Sequence, residues 1–151
     1  IVVGKEGKNI PIDKAQDYIF GYCIVNDISE RSWQKERGGQ WIKGKSIAGP
    51  CGPYLVTKDE IKNINNINLS LDVNGERRQT GNTERMIFNF NFLISHISQF
   101  MRLYPGTIIT TGTPAGTAME MDNPKFLKSG DKLNLKVDFL GEQNQIIVEE
   151  N

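Results

Sequence analysis

Histidine occurs once and cysteine twice in these 151 residues. Cys23 and Cys51 make neither a CxxC pair nor a disulfide framework, so a reducing, cytoplasmic setting is expected. Charge of one sign is not in excess either: 18 basic residues meet 18 acidic ones. No bulk electrostatic pull toward nucleic acid or anionic lipid follows, and neither is expected as a partner. No apolar run approaches the roughly 20 residues that a membrane helix needs. Repeats, low-complexity tracts and linkers are lacking, which with this length implies one domain able to bury a real core. No signal-peptide pattern opens the chain. It begins abruptly on Ile1-Val2-Val3, read as a start inside a strand, with a missing upstream segment expected.

What is present is punctuated β structure. After the opening strand, Pro11 with Asp13 and Lys14 starts a short helix. Phe20 to Val25 is an apolar run ending in Asn26-Asp27, read as a buried strand that delivers an acid at its C-terminal end. Residues 29–40 are charged and then glycine-rich, about one helical turn followed by a loop. "PYLVT" is a short strand. "INLSLDV" alternates Ile67, Leu69, Leu71 and Val73 with polar residues, and Asn74-Gly75 turns it back through "ERRQT". Phe90, Leu93, Ile94, Ile97, Phe100, Met101 and Tyr104 share helical spacing and predict an amphipathic helix that stops before Pro105-Gly106. "TIITTGT" reads as a strand running into a Gly/Thr/Pro loop, and the chain closes with two strands around Gly141. The class is mixed α/β and β-rich.

"GQWIKGKS", Gly39 to Ser46, fits the phosphate-loop pattern at every fixed position. The physical context contradicts it. The preceding "SWQKERG" has no strand character, and Gly49, Pro50, Gly52 and Pro53 forbid the helix that would face the phosphates. A glycine-edged lid carrying Lys45 fits better. Asp27 is the best group for Lys45 to face. On the residues alone, a structural Asp–Lys pair or a solvated turn acid explains Asp27 better than a metal ion, because one carboxylate is not a metal site.

Four segments in order change that balance. "FGYCIVNDISERSWQ", "GGQWIKGKS", "VNGERRQTGNTERMIF" and "PGTIITTGTPAG" together resemble the fumarylacetoacetate hydrolase family, especially its bacterial acylpyruvate and hydroxymuconate branch. The resemblance spans nearly the whole chain. It implies a β-roll with a few helices and usually a homodimer. It also implies a divalent metal, Mg²⁺ or else Mn²⁺ or Ca²⁺, and a small 2-oxo acid substrate carrying a second carbonyl.

Carried over by position, the resemblance makes Asp27 a metal ligand and Lys45 the catalytic lysine beside the metal. Arg31 and Gln34 match the segment lining the site, Arg31 toward substrate and Gln34 toward substrate or water. Thr113, with Gly112 in the same loop, matches the threonine that grips the substrate. These residue types suit the chemistry. A chelated divalent ion withdraws electrons from a 2-oxo acid. Cleavage of the C–C bond leaves an enolate, whose charge an ammonium stabilises where it develops.

Two departures from the family pattern stand out. Its Glu-x-Glu metal ligands and water-activating His–Glu pair would precede Ile1. The segment after "GKS" is shortened to "IAGPCGP". The expectation is therefore a single catalytic domain, residues 1–151, lacking its N-terminal part. It would be a hydrolase of acylpyruvates or β-diketo acids. The alternatives are an isomerase or decarboxylase of 2-oxo or 2-hydroxymuconate-type diacids with the same metal-enolate chemistry, or a non-catalytic binding module of the same fold. Other residues are expected to be structural: His96 on the flank of the helical stripe, Glu84 and Arg85 in a turn or cap, and Phe88, Phe90 and Phe92 in the core. Cys51 reads as an ordinary loop cysteine, since no histidine neighbours it.

Overall fold

Alternation in "NLSLDV" and the Asn-Gly pair after it fold as read. In the computed structural model, which describes residues 1–36 and 49–149, strands β4 (Asn68–Val73) and β5 (Glu76–Asn82) form an antiparallel hairpin. Asn74 and Gly75 both adopt positive φ, 52° and 80°. That is the conformation a two-residue hairpin turn demands. The Asn74 side chain donates to Asp131 Oδ1 at 2.8 Å and accepts from the Lys132 N–H at 2.9 Å. The turn is thereby tied to strand β6 (Lys132–Val137), which pairs with β4, while β7 (Gly141–Ile146) closes the sheet in the order β5-β4-β6-β7.

A second antiparallel sheet joins β1 (Val2–Val3), β2 (Ile19–Tyr22) and β3 (Val56–Thr57) in that order. Among the described residues two α-helices complete the frame: α1 (Arg31–Glu36) and α2 (Phe90–Phe100). A 3₁₀ helix over Ile12–Tyr18 packs beneath α2. One apolar cluster unites both sheets and α2, with Val3, Ile19, Ile67, Ile94, Leu103 and Leu135 among its members. Burying one such side chain stabilises the fold by about 1.5–3 kcal/mol.

Helix α2 starts where Asn89 accepts a hydrogen bond from the Phe92 N–H at 2.9 Å, the usual N-cap device. Its buried face carries Phe90, Ile94 and Ser98, at a spacing of one turn. Ser98 is fully buried and fully bonded: Oγ accepts from the Ile10 N–H at 2.9 Å and donates to the Ser95 carbonyl at 2.7 Å. The sequence stripe extends to Tyr104, but the helix ends at Phe100. Leu103 exchanges both backbone hydrogen bonds with Gly7, at 2.8 and 3.0 Å, which pulls the chain into an extended path.

Three further expectations need correction. Phe20–Val25 is a strand only to Tyr22, and beyond it Val25 makes a single bridge with Cys51. "TIITTGT" forms no full strand: the Thr107 carbonyl accepts from the Val3 N–H and Ile109 exchanges two bonds with Ile1, and the path then turns at Gly112, whose φ is 93°. Of the three phenylalanines expected in the core, Phe90 is buried, Phe92 is half-buried and Phe88 is exposed. Phe88, Phe92, His96 and Phe100 instead form a ring-on-ring row along α2, with successive centroids 4.5, 5.5 and 5.1 Å apart. Thr83–Arg85 is the turn expected around Glu84 and Arg85, capped by the Asn82 side chain. No helix among the described residues is long and apolar enough to cross a membrane.

Candidate active site

Between the four-stranded sheet and the segment that follows β2 lies a cavity of about 870 Å³. Asp27, Arg31, Gly112 and Thr113 all line it, although the chain brings them from opposite ends of the fold. Gln34 reaches this group through Arg31, whose Nη1 donates to Gln34 Oε1 at 2.7 Å. Lys45, with the whole phosphate-loop-like stretch, lies outside the described residues. Just downstream, residues 49–53 form no helix, so that requirement of a phosphate loop fails as expected. A shallower depression of about 510 Å³ beside Tyr54 and the β6–β7 turn holds none of the expected site residues.

One wall is the Gly/Thr/Pro loop, clamped onto β5. Gln79 Nε2 donates to Thr113 Oγ1 and to the Pro114 carbonyl, both at 2.8 Å. Gly116 rests against the Arg78 carbonyl so closely that a Cβ there would lie 2.0 Å from its oxygen. The Glu120 carboxylate accepts from the N–H groups of Gly116 and Thr117, each at 2.8 Å. Those backbone bonds, with the Thr117 hydroxyl and the Arg31 charge, hold its carboxyl below the ordinary carboxylate range.

Sequence alternation does not show this clamp, because it implies a regular hairpin. A bulge intervenes: Leu71 pairs with Gln79 but Asp72 pairs with Arg77, leaving Arg78 extra on β5. Strict alternation would send Arg78 and Gln79 to opposite faces. The bulge lets both line the cavity, the kind of re-aiming such irregularities produce. Pairing register is a tertiary property, and no local pattern in "ERRQT" announces it.

The opposite wall is the segment Ile24–Ser32. A relay of amides supports it from β7. The Asn26 side chain donates to Gln145, Gln145 donates to Gln143, and buried Gln143 donates to the Gly52 carbonyl, each at 2.7 Å. Gln143 also lies 3.3 Å from the carbonyls of Ile24 and Pro50, so one amide meets three carbonyls on two segments. Asp27 sits at the end of this support. The expectation of a buried strand delivering this acid is corrected: Asp27 is exposed, on the cavity wall. His96, on α2, does not line the cavity. Cys51 is no isolated loop thiol, for its sulfur lies 3.4 Å from that of Cys23.

For a divalent cation, Asp27 offers a hard oxygen ligand of the right type. Among the described residues no group of three or more His, Cys, Asp or Glu could hold a metal ion. Asp27 thus fits as one ligand, and the described residues do not complete a site by themselves.

The family model described as fumarylacetoacetate (FAA) hydrolase, C-terminal, matches residues 1–148. A protein of Burkholderia cenocepacia, whose name proposes a hydrolase without a substrate, is 49% identical over 148 residues. That match covers 96% of this chain and 52% of the relative, so the chain spans about half the length of the curated relatives it matches. Among solved structures, a fumarylacetoacetate hydrolase from Exiguobacterium antarcticum superposes with a TM-score of 0.92 at 33% identity, covering 99% of this chain and 54% of that one. A 2-hydroxyhepta-2,4-diene-1,7-dioate isomerase from Mycobacterium marinum gives 0.87 at 32% identity, over 100% and 56% of the two chains. A fumarylpyruvate hydrolase from Pseudomonas aeruginosa, in complex with Mn²⁺ and pyruvate, gives 0.86 at 28% identity, over 99% and 63%.

Proposed function

Because the chain belongs to the fumarylacetoacetate hydrolase family, we propose that it forms the catalytic part of a divalent-metal-dependent hydrolase cleaving a C–C bond in acylpyruvates or related β-diketo acids. One observation carries this reading: Asp27 and Arg31 on one wall and Gly112 and Thr113 on the other face a single cavity. Its volume suits a small diacid. The Mn²⁺ and pyruvate in the Pseudomonas neighbour give the ligand chemistry to test.

The residues divide the work by chemical type. Arg31 presents a permanent positive charge to a substrate carboxylate, and its bond to Gln34 fixes where the guanidinium points. Thr113 accepts a hydrogen from Gln79, so its own proton is the one to donate. That proton now meets only the Pro114 carbonyl, at 3.4 Å, and can turn to a carboxylate oxygen. The Lys45 ammonium is assigned to the enolate charge that C–C cleavage leaves behind. Asp27 would hold the cation, Mg²⁺ in this proposal, which when bound supplies Lewis-acid polarisation of the 2-oxo acid.

The Mycobacterium neighbour favours a second reading, an isomerase of 2-hydroxymuconate-type diacids in which a proton moves and no bond to water forms. A panel of acylpyruvates, oxaloacetate and 2-hydroxyhepta-2,4-dienedioate, assayed with Mg²⁺ or Mn²⁺, separates the two. Pyruvate release from an acylpyruvate supports the hydrolase, while ultraviolet change in the dienedioate without release supports the isomerase. Turnover of none of them would sink both.

A further inference from the structure

Cys23 and Cys51 stand apart from the chemistry proposed above, yet their sulfurs touch at 3.4 Å. Backbone pairing holds them there. Asn26 donates to the Pro50 carbonyl and Gly52 to the Ile24 carbonyl, both at 3.0 Å, and Val25 bridges Cys51. The Gln143 amide then pins three carbonyls of the same two segments. A disulfide bond is about 2.05 Å long. The sulfurs therefore need to close by little more than an ångström. The two thiols also differ. Cys51 is exposed, whereas Cys23 is partly buried on the cavity wall. Burial, together with the Cys51 sulfur, pushes the Cys23 thiol up to about 11.

We propose that Cys23 and Cys51 form a redox-active dithiol, in which exposed Cys51 is oxidised by a peroxide and Cys23 resolves it to a disulfide at the edge of the cavity. The steps balance. The Cys51 thiolate attacks one peroxide oxygen and the O–O bond breaks. The departing hydroxide takes a proton to become water, leaving a sulfenic acid on Cys51. Cys23 sulfur then attacks Cys51 sulfur, the S–S bond forms, the S–O bond breaks, and the second oxygen leaves as water with the proton from Cys23. Two thiols and one hydrogen peroxide give one disulfide and two waters. The inference rests on the thiol geometry alone and stands whether or not the proposed hydrolase activity does.

The test treats the protein with hydrogen peroxide, alkylates what remains, and digests it for mass spectrometry. The expected result is a cross-linked peptide pair joining Cys23 to Cys51, lighter by two hydrogens than the separate peptides, with loss of both alkylatable thiols. Dithiothreitol should restore both thiols. In Cys23→Ser, Cys51 should be trapped by dimedone as sulfenic acid, and in wild type it should not. Wild-type protein in which both cysteines remain alkylatable, or in which Cys51 runs on to sulfinic acid with no cross-link, would overturn the proposal. The wild-type measurement decides the matter even if the serine variant fails to fold.

Discussion

Replacing Gln79 by leucine keeps the bulk of the side chain while removing the two hydrogen bonds that clamp the substrate loop to β5, at 2.8 Å each. A neutral hydrogen bond contributes about 0.5–1.5 kcal/mol net, which puts the pair at roughly 1–3 kcal/mol. Thr113 is exposed, so its hydroxyl finds water once Gln79 is gone, whereas the Pro114 carbonyl is half-buried and compensates less well. The lower half of the range, about 1–2 kcal/mol, is therefore expected. Thr113→Val removes only the hydroxyl share of the clamp. In a double-mutant cycle followed by urea unfolding, the two substitutions should fall short of additivity by about 0.5–1 kcal/mol, since both delete the same bond. Unlinked sites add to within about 0.3–0.5 kcal/mol. Additivity at that level, or a Gln79→Leu protein as stable as wild type, would refute the claim that β5 holds the loop.

Three other outcomes follow from the geometry. Ser98→Ala leaves the Ile10 N–H without its buried acceptor and should lower the unfolding free energy by about 1–3 kcal/mol in the same urea assay. The Glu120 carboxyl is depressed below its ordinary value of 4.5, so the folded state favours its charged form. Its contribution to stability is present above that value and disappears as pH falls through the lower folded one. Melting temperature should therefore drop more steeply below pH 4.5 in wild type than in Glu120→Gln, and parallel curves would count against the cap. Lys45→Ala should lower turnover of whichever substrate proves active by a factor of about 10² to 10³, as for one lost oxyanion donor. Lys45→Arg should not restore it, because a planar fork does not replace a compact ammonium. Full activity in the arginine variant would contradict the enolate role.

Local chemistry made much of this fold legible. Asn74-Gly75 specifies its own turn, and the period-2 pattern of Leu69, Leu71 and Val73 the cavity-lining face of β4. The ordered segments around Asp27 and Thr113 likewise indicated residues that meet on one cavity. What stayed hidden depends on distant pairing. The bulge at Arg78 exists only in register with β4, and the Gln143 relay only because β7 lies beside the Asp27 segment. The contact between Cys23 and Cys51 needs the same pairing, so sequence separation alone suggested two unrelated thiols. Tyr104 failed as a helix residue because Leu103 had a better partner in Gly7.

The central claim is that this cavity receives the carboxylate and 2-oxo group of a small acid beside a cation held in part by Asp27. Oxalate mimics the enolate that such a substrate would leave, and binding to the folded state raises the melting temperature. The most direct measurement is therefore the melting temperature with Mg²⁺ alone, with Mg²⁺ and oxalate, and with Mg²⁺ and ATP, in wild type and in Asp27→Ala. The account predicts a rise with oxalate in wild type, its loss in Asp27→Ala, and no shift with ATP in either. A shift with ATP and none with oxalate would contradict it.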